Sequence, residues 1–107
     1  MDSRKIKPIV LFLKRVQKKY QPEKIILFGS QAKGHPRAGS DYDIIVVSPR
    51  FKKIQFYERM VQLYHLKRGV SVPMDLIGLT PEEFKEKKQR KGVIQEAVRE
   101  GIELAVS

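Results

Sequence analysis

Between Lys5 and Tyr20, the apolar positions Ile6, Ile9, Val10, Leu13, Val16 and Tyr20 recur at helical spacing. Lys14, Arg15, Lys18 and Lys19 fill the opposite face, so an amphipathic helix is predicted. Pro8 is tolerated only near a first turn, which starts the regular helix close to it. Gln21-Pro22-Glu23 breaks the pattern. Lys24 to Phe28 is a short β-branched and aromatic run bounded by turn residues, which predicts a buried strand. Gly29-Ser30 ends it. Gln31-Ala32-Lys33 suits a short helix closed by Gly34, and His35 to Ser40 reads as loop. Tyr42 to Ser48 is a second predicted strand, stopped by Pro49.

From Phe51 to Lys67 the helical period returns, with Ile54, Tyr57, Met60, Val61 and Tyr64 on one stripe and Gly69 as the C-terminal cap. That stripe is expected to face the core rather than to stack bases. Ser71 to Leu79 predicts a third strand, with Pro73 near its start, where a missing donor costs least. Thr80-Pro81-Glu82-Glu83 is a helix start: Thr80 caps, Pro81 takes the first helical position and Glu83 completes a capping box. A helix to about Arg90 follows. Another runs from Val93 to Glu100 with Val93, Ile94, Ala97 and Val98 inward, and Ile102, Leu104 and Val106 alternate as a terminal strand or docked tail. The order α-β-(short α)-β-α-β-α-α implies an α/β (α+β) domain with a small mixed sheet of three or four strands flanked by helices. Residues 1–107 read as a single domain, with no repeat or internal linker.

Composition narrows the function classes. The chain has no cysteine, which excludes disulfides, thiolate zinc sites and a cysteine nucleophile. No apolar run approaches the ~20 residues of a membrane helix, and the N-terminus leads into no signal-type segment. A cytoplasmic protein is the default expectation. The formal net charge of +10 favours anionic partners: polyphosphate nucleotides, nucleic acid or an acidic protein. A solvated basic surface with no partner is the bland alternative.

The chemistry concentrates between Phe28 and Asp43. Asp41 and Asp43 stand at the head of the second strand, one residue apart and therefore on one face. Two like charges repel there, and a divalent cation relieves both the repulsion and the desolvation. Oxygen ligands without cysteine or paired histidine select a hard ion, Mg²⁺ or Mn²⁺. Ile45 and Val47 share that face, so it must be open at the aspartate end and packed beyond it. A D-x-D pair alone is more often a plain loop-to-strand junction, because acidic residues are common at turns. Two features argue against that. Gly29-Ser30, at a strand end, lets backbone approach a ligand and offers N–H groups and a hydroxyl to phosphate. Asp75 sits in the apolar run Met74-Asp75-Leu76-Ile77, where burial without a partner would be expensive. Three carboxylates facing a phosphate-binding turn are the components of two-metal phosphoryl chemistry.

The strings F-G-S-Q-A-K-G and S-D-Y-D-I-I-V-V, with a later isolated aspartate on a strand, resemble the DNA polymerase beta-like nucleotidyltransferase superfamily, and within it the minimal nucleotidyltransferase branch. The resemblance runs over most of the chain. It implies the polymerase beta-like fold. It also implies that Gly29 and Ser30 hold the β- and γ-phosphates of ATP or another nucleoside triphosphate. Asp41 and Asp43 would bind two Mg²⁺ ions, and Asp75 would complete one metal site and help deprotonate the attacking hydroxyl. Lys33 and Arg37 are added candidates for phosphate contact, with surface charge an equal reading of each. Gln31 stands where the family often has arginine, which removes a positive charge beside the triphosphate.

Members of this branch are often encoded beside a small helical HEPN protein, and some act as antitoxins that transfer AMP to a tyrosine of that partner. Larger relatives carry a second, helical domain for the acceptor; 107 residues leave no room for one, so the acceptor is expected on another chain. The leading expectation is thus a Mg²⁺-dependent nucleotidyltransferase acting on a partner in a toxin–antitoxin pair. A binding module that neutralises its partner by contact alone is the alternative. A basic nucleic-acid-binding domain ranks last, because no aromatic interleaving accompanies the charge. A homo-oligomer is compatible with the sequence.

Overall fold

The computed structural model describes residues 6–32 and 41–104. A 3₁₀ turn at Lys7–Ile9 leads into α1, Val10–Tyr20, followed by β1, Lys24–Phe28, and β2, Tyr42–Val47. A second 3₁₀ turn, Pro49–Phe51, precedes α2, Phe56–His65. Then come β3, Met74–Leu79, α3, Pro81–Lys87, α4, Val93–Glu100, and β4, Ile102–Glu103. The four strands form one mixed sheet in the order β3-β2-β1-β4. β1 is antiparallel to both β2 and β4, whereas β2 and β3 are parallel. A parallel pair needs a crossover, and α2 supplies it.

Strand periodicity divides the core between the two faces of the sheet. Ile25, Leu27, Ile44, Val46 and Leu76 pack beneath Phe12 and Val16 of α1, Phe51 and Leu63. Ile26, Ile45, Val47 and Leu79 point the other way, against Phe84 of α3 and Ile94 and Ala97 of α4. Central β2 is covered on both faces, which is why it reads as an unbroken apolar run. Gly101 makes the tight return from α4 possible: an added Cβ would lie 2.8 Å from Ile26 Cγ2 and 2.9 Å from the Leu27 carbonyl.

The capping box at Thr80 forms as expected. Its hydroxyl accepts from the Glu83 amide at 3.1 Å, and the Glu83 carboxylate accepts from the Thr80 amide at 2.8 Å. Between Phe51 and Lys67 the structure differs from the sequence reading. Ser48 accepts from the Arg50 amide and caps the 3₁₀ turn at Pro49, so the α-helix begins only at Phe56. The phase changes with it. Tyr57 is 77% exposed and Tyr64 40% exposed, while Arg59 and Leu63 are the buried residues of α2. Phe51, before the helix, packs its ring 4.6 Å from that of Tyr20.

Smaller shifts have similar causes. β3 starts at Met74 because Pro73 has no donor, although its carbonyl accepts from the Tyr42 amide at 2.9 Å. α3 stops at Lys87, with turns continuing to Arg90. On α4 only Ile94 and Ala97 are buried; Val93 and Val98 remain exposed. The terminal alternation becomes the two-residue β4 and buried Leu104, with Val106 outside the described residues.

Arg59 joins three elements. Only 4% exposed, it donates to the Ile54 carbonyl at 2.7 Å, the Gly78 carbonyl at 3.1 Å and the Glu83 carboxylate at 2.6 Å. These bonds tie α2 to β3 and to the first turn of α3. Among the described residues, no helix is long and apolar enough to cross a membrane.

Candidate active site

Sheet register assembles the site. Antiparallel pairing sets Phe28 opposite Asp43, and parallel pairing sets Asp43 opposite Asp75. Residues paired in this way project from the same face, about 4.8 Å apart across the ladder. Two residues further on, the same face carries Ile45 and Ile77 into the core under α3 and α4. The aspartate end stays accessible: Asp41 and Asp75 are exposed and Asp43 is half-buried. The expected arrangement, open at the acids and packed beyond, is the one observed.

Gly29 follows β1 directly and adopts φ +76°, a left-handed conformation that favours glycine. A methyl group there would overlap Oδ2 of Asp43. The turn therefore crosses directly over the carboxylate, and only the absence of a side chain permits it. The Ala32 amide closes the turn by donating to the Gly29 carbonyl at 3.1 Å. Ser30 is half-buried beside it, and Gln31 is 8% exposed. A neutral amide tolerates that burial better than a guanidinium would.

Burial pushes the Asp43 carboxyl above its ordinary value, and the charges of Asp75 and then Asp41 raise it further. Asp43 thus shares a face with Asp75 and feels the charges of both other acids. The three are not closed around one point: among the described residues, no three His, Cys, Asp or Glu side chains are gathered to hold a single ion. Strand register fixes Asp43 opposite Asp75, while the exposed carboxylates of Asp41 and Asp75 can turn about their own bonds. A donor set of carboxylate oxygens whose central member resists ionisation fits a hard divalent cation.

Asp75 is exposed rather than buried in its apolar run, because it lies beyond the part of this face that α3 and α4 cover; the carboxyl that burial penalises is Asp43. Lys33 and Arg37 lie outside the described residues. Sequence reasoning also missed Glu96 and Glu100. With Phe28, Gly29, Val93 and Ala97 they line a cavity of about 170 Å³ beside the glycine turn. Their spacing, four residues apart on the stripe that carries Ala97, was the available signal.

A family model described as a nucleotidyltransferase domain matches residues 9–103. No curated protein matches the chain. Among solved structures, one from Sulfolobus solfataricus, provisionally assigned as a nucleotidyltransferase, is 24% identical with a TM-score of 0.65. The match covers 94% of this chain and 79% of that one. A toxin–antitoxin structure with AMP-PNP is 21% identical with a TM-score of 0.61, over 100% of this chain and 75% of that one. BolA1 from Arabidopsis thaliana is 19% identical with a TM-score of 0.57, over 71% of this chain and 94% of that one. At these identities the likeness is one of fold, and folds host unrelated activities.

Proposed function

The chain belongs to the nucleotidyltransferase domain family, and from that premise we propose that it transfers a nucleoside monophosphate, AMP from ATP, to a hydroxyl of a partner protein. The observation that carries the proposal is the contact of the Gly29 turn with Asp43, itself in register with Asp75. A turn suited to phosphate and a carboxylate flanked by two others meet at one end of the sheet.

In this reading Asp41 and Asp43 would hold two Mg²⁺ ions, with Asp75 completing one of the sites. Bound there, the cations would supply charge neutralisation to the triphosphate and to the leaving pyrophosphate. Gly29 and Ser30 would hold the β- and γ-phosphates through backbone N–H groups and the serine hydroxyl, leaving the α-phosphorus toward the acids. Asp75, exposed and on the strand beside Asp43, would accept the proton of the attacking hydroxyl. The new oxygen–phosphorus bond replaces the one to pyrophosphate, which departs with both its phosphates. Lys33 and Arg37 would add positive charge where Gln31 contributes none.

The toxin–antitoxin neighbour supports a protein acceptor. We read the chain as a minimal nucleotidyltransferase and the antitoxin of such a pair, with a tyrosine of a helical HEPN-type protein as acceptor. The test is incubation with labelled ATP, Mg²⁺ and the protein encoded by the adjacent gene. Label on that protein, lost with Asp41→Ala, is the expected result. Neutralisation of the partner undiminished by Asp41→Ala would instead assign the protein to contact inhibition.

A further inference from the structure

On the acids' face a groove of about 420 Å³ runs beside β3, over Ile77 and Leu79. Phe56, Glu83, Lys87 and Ile94 form its walls. Ile77 follows Asp75 by two residues on the same face, so the groove begins about 7 Å along the strand from that carboxylate. Its floor is aliphatic. Phe56 remains 48% exposed at its edge, a large apolar side chain whose outer half covers nothing in the described fold.

The rim is cationic. Lys87, Arg90 and Lys91 line an adjoining pocket that shares Ile94 with the groove. Between residues 85 and 91 the cations Lys85, Lys87, Lys88, Arg90 and Lys91 face a single acid, Glu86, already paired with Arg90. Glu83, the carboxylate of the groove itself, is engaged by Arg59 and by the Thr80 amide. It therefore offsets little of that charge. An aliphatic floor selects an apolar side chain, and the rim selects carboxylates around it. Nucleic acid would use the cations but gain little from an aliphatic floor with a single aromatic ring, Phe56, in the wall, since bases bind by stacking.

We propose that this groove docks an acidic segment of a partner protein, seating one apolar side chain between β3 and α4 and its carboxylates against Lys87, Arg90 and Lys91. This rests on the reading that the acceptor is a protein, and it specifies how that protein would be oriented over the acids. The segment would approach from the Ile77 end, leaving its neighbouring residues to reach Asp75.

The test uses the full chain carrying labelled isoleucine and leucine methyls, titrated with a short peptide of glutamates around a central leucine. Shifts are expected at Ile77, Leu79 and Ile94, and should vanish when the leucine is replaced by alanine. Lys87→Glu and Phe56→Ser, both at exposed positions, should each weaken the peptide about tenfold. Binding of labelled ATP with Mg²⁺ should be unchanged in both, which also shows that they fold. No shift at the three methyls, or equal binding of the alanine peptide, overturns the inference. Tighter binding of an oligoribonucleotide through the same methyls overturns it in favour of nucleic acid. Asp41→Ala separates the two proposals: it should abolish transfer while leaving peptide docking intact. If it leaves transfer unchanged, the catalytic reading falls and the groove stands.

Discussion

Asp43 sits where ionisation is hardest, against the glycine turn and between two other acids. Its folded pKa is raised by burial first and by Asp75 and Asp41 next. A group raised in this way favours folding only while protonated; the advantage fades as pH rises through the folded value, leaving a penalty at neutral pH. Asp43→Asn should therefore raise the melting temperature of the metal-free protein by a few degrees at pH 7, with the difference closing toward pH 3 and transfer lost throughout. Melting curves against pH in a chelator check this. Gly29→Ala is the opposite case. It meets Oδ2 of Asp43 and cannot relax at φ +76°, so a loss of about 2 kcal/mol together with activity is expected. Urea titration and the labelled-ATP assay read both.

At the scale of elements, the clasp around Arg59 decides how β3 is held. Glu83 is desolvated, which raises its pKa, but the hydrogen bonds from Arg59 and Thr80 leave it lowered overall. Its contribution to stability is then present above the unfolded pKa and is lost as pH falls through the folded one. Glu83→Gln would leave the buried Arg59 side chain without its counter-charge; because Glu83 itself is partly exposed, the cost falls below that of a fully buried pair, at about 1–3 kcal/mol. Denaturant midpoints should show that loss at pH 7, and the loss should shrink as pH falls through the lowered folded pKa of Glu83. Asp75 lies on the strand that this clasp anchors through Gly78. The clasp was invisible to helical periodicity because Arg59 is a charged residue in a core phase. That phase was set by the Ser48-capped turn, which delays α2 to Phe56.

For the molecule as a whole, the three carboxylates lie at the mouth of a basic chain of net charge +10. Cation binding to the folded state alone should stabilise it by about 1.4 kcal/mol at ten times Kd. The gain should shrink as pH is lowered toward the raised folded pKa of Asp43, where protons compete with the cation. Calorimetry with and without Mg²⁺ across a pH series tests this, and Asp41→Ala should abolish the difference. A Mg²⁺ effect equal in wild type and variant would place the ion elsewhere.

Much of this was determined by the sequence alone. The β-branched apolar runs at Lys24–Phe28 and Tyr42–Val47, the capping box at Thr80 and the shared parity of Asp41, Asp43, Ile45 and Val47 are local facts, written in spacing and residue type. So is the F-G-S…D-Y-D pattern behind the family assignment. Only the tertiary structure decided which residues meet. Strand order brings Asp75 beside Asp43, the reach of α3 and α4 along that face leaves Asp75 exposed, and antiparallel register lays Gly29 over the Asp43 carboxylate. Those are contacts between residues distant along the chain, fixed by pairing and burial, and no local pattern encodes them.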